Sequence, residues 1–256
     1  MSLGDLPPRQ KMINVMYLVL LALLAMNVSK EILDSFIIIN EGLEKTTKTF
    51  DQKNEITMNR FAKYNVDNPA KVGPLYSQAQ EIQKKSEELY EYMEEIKSLV
   101  IQATGVPAEI ADTLQLKNVE SKDNQEAGTI VMIGQEVANP IDGEHSAVDL
   151  RKRLLEFNAF ADEVFKKNPE KGENVKISLP ETIMQHGEPM SWEAANFYHL
   201  PLAATITNIS RFQAAVKNLE ADLVAELMSS ITADDFSFDT LVAKVIPHHG
   251  TYISQG

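Results

Sequence analysis

Apolar residues recur with a helical period along most of the chain. The clearest case lies between residues 75 and 100, where apolar or small side chains return alternately after three and four positions, which is the heptad spacing of a helical bundle or coiled coil. One heptad position holds Leu75, Ile82, Leu89 and Ile96. The pattern predicts a long helix that packs along this bundle seam and turns its acid-rich outer positions to solvent.

Turn residues separate this helix from its neighbours. A preceding helix over residues 45–64 is predicted to end at Asn68-Pro69, because proline disfavours helical geometry in the residue before it. Gly73-Pro74 is expected to reopen the chain before the seam helix, and Gly105 and Pro107 are expected to stop that helix.

The second half of the chain predicts two more long helices. Residues 146–167 have helical spacing, and residues 168–172 are expected to form the loop that follows. Ser191 is the predicted N-cap of the last long helix, whose apolar stripe extends as far as Ser229. Pro201 should kink or divide this helix, since an interior proline removes one backbone hydrogen bond.

Two regions lack clear helical spacing. Residues 129–133 are compatible with a short strand or with a buried turn. Residues 241–246 and 252–253 have a β-like composition, yet they are too few to form a sheet core of their own. We expect this end to begin a further domain of a truncated chain, or to be lent as a strand to a partner.

An apolar run begins shortly after the N-terminus. From Val15 to Met26 the only side chain with a polar group is that of Tyr17. A cleaved secretory signal needs a small-x-small cleavage site after such a run, and no clean one follows it. A membrane-spanning helix of about 20 residues fits better. Arg9 and Lys11 in front of the run then place the N-terminus in the cytoplasm by the positive-inside rule.

Four polar side chains accompany this apolar run. At about 100° per residue, Gln10, Asn14 and Tyr17 share one side of a helix, with Arg9 at the edge of that side. They are compatible with anchoring at the membrane interface or with contacts to another helix. An Arg9 side chain below the headgroups would need a carboxylate, which a second protein would have to supply.

The predicted fold is mainly α. A single N-terminal transmembrane helix continues without a break into a periplasmic bundle, which has four long helices, and a short β-like segment follows. The predicted domain limits are 1–7 for a cytoplasmic N-terminus, 8–30 for the transmembrane helix, 31–230 for the bundle and 231–256 for a linker or the start of a truncated β-rich domain.

Charge and composition narrow the classes of function. The 256 residues include 24 Lys and Arg against 37 Asp and Glu, a net charge of -13, which disfavours nucleic acid and anionic headgroups as partners of the body. The absence of cysteine excludes disulfides and thiolate chemistry. The five histidines are scattered, and no nucleotide-binding or hydrolase motif is present. We therefore expect neither an enzyme nor a bound metal or cofactor.

Two long strings carry a resemblance to a known family. Residues 8–19 read PRQKMINVMYLV, and residues 25–31 read AMNVSKE. Both closely resemble the N-terminus of the GldM/PorM family. Residues 197–213, FYHLPLAATITNISRFQ, resemble the long periplasmic helix of the same family.

The resemblance implies an inner-membrane subunit of the type IX secretion and gliding-motility machinery. Two copies would pair as a homodimer inside a ring of GldL/PorL-like multi-span proteins, driven by the proton-motive force. Periplasmic domains would carry mechanical energy toward outer-membrane components of the GldK/GldN (PorK/PorN) type. Arg9 would pair with a membrane carboxylate of the ring, and Tyr17, Asn14 and Gln10 would be neighbouring contacts.

Two other classes of protein remain compatible with the sequence. One is a passive periplasmic scaffold that its helix merely tethers to the membrane. The other is a sensory receptor with a periplasmic ligand-binding bundle, although few residues precede the apolar run to carry a signal into the cytoplasm.

Overall fold

The computed structural model describes residues 7–26, 29–166, 169–185 and 187–235. This part of the chain is mainly helical and includes one small antiparallel hairpin. Its elements are α1 (Pro8–Met26), α2 (Lys30–Asp67), α3 (Pro69–Gln102), α4 (Ala108–Ala111), a 3-10 turn (Leu116–Asn118), α5 (Glu126–Met132), α6 (Ala147–Val164), α7 (Pro169–Val175), β1 (Thr182–Gln185), β2 (Glu188–Ser191), α8 (Trp192–Phe197) and α9 (Leu202–Asp235).

The core forms where four long helices meet. Helix α9 packs along α2 and α3, and α6 closes the bundle against α3 and α9. The seam predicted on α3 faces this core: Ile82 and Ile96 are fully buried, Leu89 is buried, and Leu75 is half-buried near the start of the helix. The heptad pattern of α3 therefore belongs to a bundle rather than to a free coiled coil.

Helix α2 has a start of its own. Ser29 has an extended backbone, and its hydroxyl accepts a hydrogen bond from the Ile32 N–H at 3.4 Å. The prediction of one unbroken helix from the apolar run into the bundle is therefore wrong, because an N-cap with extended dihedral angles interrupts helical geometry. Residues 27–28 lie outside the described part of the chain.

One residue links α2 to α3. The Asn68 N–H donates to the Tyr64 carbonyl at the end of α2, and its side chain accepts from the Lys71 N–H at the start of α3. Pro69 follows at the first helical position, where no N–H is needed. The predicted end of α2 is confirmed. The predicted restart after Gly73-Pro74 is wrong, since α3 already begins at Pro69 and includes Pro74.

The irregular middle is more helical than expected. Residues 129–133, for which the sequence allowed either a short strand or a buried turn, lie mostly in α5. The Asn124 side chain accepts hydrogen bonds from the N–H groups of Glu126 and Ala127 at the start of this helix. Most of the predicted loop 168–172 is helix α7. The hairpin of β1 and β2 was not predicted, because four-residue strands leave too short an alternation to recognise.

The predicted division of the last helix is confirmed. The Ser191 hydroxyl caps α8 by accepting from the Ala194 N–H, and α9 begins directly after Pro201. Helix α9 extends to Asp235, beyond the predicted limit at Ser229. The β-like stretches 241–246 and 252–253 lie outside the described residues.

The single spanning helix predicted over residues 8–30 is not supported. Across residues 7–26, 29–166, 169–185 and 187–235, none of the helices combines the length and the apolar character needed to cross a membrane.

Candidate functional site

The four residues predicted to meet membrane partners lie together on α1. Gln10, Asn14 and Tyr17 follow one another after four and three residues, which aligns them along one side of a helix with about 3.6 residues per turn. Arg9 lies at the edge of this side. All four side chains are exposed, Tyr17 by 62%. The arrangement leaves the whole face accessible to another protein.

A second polar feature lies inside the bundle, and sequence reasoning missed it. Five polar residues of α9 follow one another after three or four positions and are all buried; we call them the polar ladder: Thr207, Ser210, Gln213, Lys217 and Glu220. The signal was available, because the apolar stripe of this helix is interrupted by polar residues at the same helical spacing. Spacing alone does not say which of two stripes faces the core.

The upper part of the ladder joins α9 to α2. The Ser210 hydroxyl donates to the Asn40 side-chain oxygen at 2.7 Å, and the Asn40 amide donates to Glu44 at 2.7 Å. The Thr207 hydroxyl lies 3.3 Å from the Phe36 carbonyl. Each buried polar group therefore meets a partner on the neighbouring helix or beside it, as burial requires.

The middle of the ladder joins α9 to α3. The Gln213 amide nitrogen donates to Glu94 at 2.7 Å, and its oxygen accepts from the Lys97 ammonium. Lys97 also pairs with Glu94 at 2.9 Å. Gln213 thus bridges both members of an ion pair on the adjacent helix.

The lower part of the ladder centres on Lys217, whose side chain is 3% exposed. Its ammonium lies 3.0 Å from Asp51 on α2, 2.6 Å from Glu87 on α3 and 3.5 Å from Glu220 on α9. The Lys217 carbonyl also accepts from the Asn54 amide at 3.1 Å. A single buried cation therefore ties together the three longest helices of the bundle.

The surroundings keep this lysine charged. Burial by itself lowers the pKa of Lys217, but the nearby carboxylates of Glu87, Glu220 and Asp51 outweigh it, and the net pKa lies above its ordinary value. Burial raises the pKa of Glu220, and this effect outweighs those of the Ser86 side chain and the Lys217 ammonium, which lower it. Burial together with Glu94 and Glu44 raises the pKa of Tyr90 to about 12, so this phenol stays neutral.

These charged and polar groups connect α9 to both α2 and α3. Ion pairs and hydrogen bonds with fixed partners on three helices resist sliding of one helix past another.

In the described ranges, no group of three or more His, Asp or Glu side chains could hold a metal ion. Two of the five histidines, His145 and His199, lie 3.0 Å from Glu95 and 3.6 Å from Glu126 respectively, on separate elements.

Comparison with known proteins identifies the family. The profile of the GldM N-terminal domain matches residues 31–230. Comparison with curated proteins finds no match. The matched region holds α2 apart from its first residue, all the helices from α3 to α8 and most of α9, and it therefore includes the complete polar ladder. Since it covers well over half of the chain, the protein belongs to the GldM family, whose members are membrane-associated components of the multi-protein gliding-motility and type IX secretion machinery.

Proposed function

We propose that this chain is the force-transmitting subunit of the motor that powers type IX secretion and gliding motility. The match of residues 31–230 to the GldM N-terminal domain is the observation that carries the proposal. In this proposal the apolar segment within residues 8–30 anchors the chain in the inner membrane. The N-terminus then lies in the cytoplasm, the bundle lies in the periplasm, and the role is mechanical rather than enzymatic.

The coupling step is assigned to the polar face of α1. Arg9 would pair with an ionised carboxylate of a GldL/PorL-like ring protein, while Tyr17, Asn14 and Gln10 contact the same ring. A ring carboxylate away from Arg9 is costly to keep ionised in the membrane, so protonation lets it move and deprotonation restores the attraction. Each proton that crosses contributes about 2.3 kcal/mol per 100 mV of membrane potential.

The polar ladder supports the transmission part of this proposal. A rotation of the N-terminal helix reaches the periplasmic part of the protein only if the bundle does not deform under torque. The Lys217 side chain is buried, so sliding α9 by one turn would separate its ammonium from Asp51 and Glu87 and leave that charge in the interior without these two partners.

Substitution of Arg9 tests the coupling step. In cells that express the full chain at its normal level, we expect Arg9→Gln to abolish both gliding and type IX export. Arg9→Lys should retain part of the activity, since lysine keeps the charge but loses the planar donor fork. Arg60→Gln removes the same charge at an exposed position of α2 and serves as the matched control.

The outcome also separates the motor from a passive anchor. If Arg9→Gln cells glide and export normally, the coupling role is wrong and a tethered scaffold accounts for the chain better. If the variant fails to reach the membrane fraction, the loss reflects anchoring, and Arg9→Lys at normal membrane level then decides between the two roles.

A further inference from the structure

A groove with a cavity of about 820 Å³ lies on the side of α9 opposite the polar ladder. Helix α9 forms its floor with Asn208, Arg211 and Phe212, and β1 contributes Ile183 and Met184 to its wall. The end of α7, the irregular segment that follows it and part of α8 also line the groove. This side of α9 is therefore covered by short elements that leave a gap, whereas its other side packs tightly against α2 and α3.

Arg211 lines this groove, and the acidic residue of the lining, Asp222, lies eleven positions further along α9, about 16 Å away at 1.5 Å per residue. One guanidinium nitrogen donates to the Asn196 side-chain oxygen at 2.8 Å, and the group lies 4.8 Å from the centre of the Phe212 ring. Within the described residues, no carboxylate pairs with it. The chain has 37 acidic and 24 basic residues, so an arginine that no carboxylate of the described residues pairs with stands out. Its fork of donors is suited to a carboxylate.

The wall of the groove is an open strand edge. Met184 stands opposite Pro189 in the hairpin, and proline has no N–H to donate, so this pair cannot be a hydrogen-bonded one. The N–H and carbonyl of Met184 therefore point away from β2. The groove is lined by residues of β1 and by none of β2. The described part of the chain contains no third strand that pairs with this edge.

We propose that the groove binds an extended, carboxylate-bearing segment of a partner protein. The segment adds as a third strand to the free edge of β1, and main-chain hydrogen bonds to Met184 supply affinity. An Asp or Glu side chain, or a terminal carboxylate, pairs with Arg211 and sets the register. Apolar side chains of the same strand contact Ile183 and the exposed Met184. This inference goes beyond the motor role and does not depend on it.

Peptide selection on the purified full chain tests the site. A phage-displayed random heptapeptide library is the probe, and enriched sequences are then synthesised and measured by calorimetry. We expect the enriched peptides to contain a carboxylate, and Arg211→Gln to weaken their binding about tenfold or more, as the loss of a charge-assisted pair predicts. Arg60→Gln, which removes an exposed arginine elsewhere, should leave binding unchanged.

Changes in the peptide test the two contacts separately. Replacing its Glu by Gln should weaken binding to the unaltered chain but not to Arg211→Gln, because the pair is then already broken. Methylation of every second peptide N–H should abolish binding when the methylated groups are those that point toward β1. Methylation of the other set should leave binding intact, as strand pairing requires.

Any of three results from the peptide experiments would overturn the inference. They are the absence of any enriched peptide, equal peptide affinity for the unaltered chain and for Arg211→Gln, and equal binding after N-methylation of either alternate set of peptide N–H groups. Binding of succinate at Arg211 without competition by the peptides would assign the cavity to small carboxylates and likewise overturn the polypeptide proposal.

Discussion

At the scale of single residues, Lys217 concentrates the electrostatics of the bundle. Three carboxylates surround its ammonium, yet Asp51 and Glu87 are more than half exposed, and Glu220 alone is as buried as the lysine. Removing the cation would therefore leave Glu220 as a buried charge with no counter-ion. The two exposed acids would regain hydration at little cost.

Lys217→Met should lower the free energy of unfolding of the full chain by about 3 kcal/mol, the lower end of the range for breaking a buried ion pair. Chemical denaturation monitored by circular dichroism measures the effect. Lys48→Met, which removes an exposed lysine of α2, should change stability by less than about 0.5 kcal/mol.

The double variant Lys217→Met with Glu220→Leu identifies the cause. If the uncompensated carboxylate is responsible, the second change should recover part of the lost stability, because an apolar side chain has no charge to desolvate. A further loss with Glu220→Leu would contradict this explanation and point to packing around residue 217 instead.

At the scale of elements, the seating of α5 on α9 depends on one glycine. A Cβ atom added to Gly128 would lie 2.6 Å from the Thr205 Oγ1 and 3.0 Å from its Cγ2. Thr205 is fully buried, and its hydroxyl has no hydrogen-bond partner in the described structure. The two helices can approach this closely only because residue 128 has no side chain.

We expect Gly128→Ala to lower stability by about 1–2 kcal/mol, because the overlap with Thr205 outweighs the better helix propensity of alanine. In a Thr205→Ala background the two closest atoms are gone and the remaining Cβ contact is 3.3 Å. There, Gly128→Ala should be neutral or stabilising. Equal costs in both backgrounds, measured by thermal unfolding, would show that the contact with Thr205 is not the cause.

At the scale of the whole molecule, the homodimer that the family resemblance implies constrains which side of α1 faces the ring protein and which side faces the second copy. If Arg9 and Tyr17 face the ring protein, the opposite side of the helix faces the second copy. Val15 lies on that opposite side, about 160° from Tyr17 and about 120° from Arg9 around the axis, and the side chains of Val15 and Tyr17 are both exposed in the single chain. The chain contains no cysteine, so one introduced thiol reports on one position.

Val15→Cys should therefore form a disulfide-linked dimer in oxidised native membranes, while Tyr17→Cys should form little or none. Non-reducing electrophoresis separates the two species. Stronger crosslinking through Tyr17→Cys would place the polar face between the copies and contradict its assignment to the ring.

Local signals in the sequence determined several helix limits, the core-facing side of α3 and the family of this protein. The stop at Asn68-Pro69, the Ser191 cap and the division at Pro201 were predictable, because each depends on the backbone preferences of a few consecutive residues. The core-facing side of α3 was predictable because its heptad repeat extends over residues 75–100. The family was recognisable from contiguous strings. The polar face of α1 was also predictable, since helical spacing alone aligns its four residues.

Tertiary structure decided the features that depend on partners distant in the sequence. Lys217 meets Asp51 and Glu87 across more than a hundred residues, and nothing local distinguishes these acids from the many that face solvent. Helix α7 and the short hairpin are too short to be stable alone, and they pack against α6 and α8 respectively, so their own weak spacing did not reveal them. Likewise, only packing shows that one side of α9 is sealed by α2 and α3 while the other keeps an unpaired arginine beside an open strand edge.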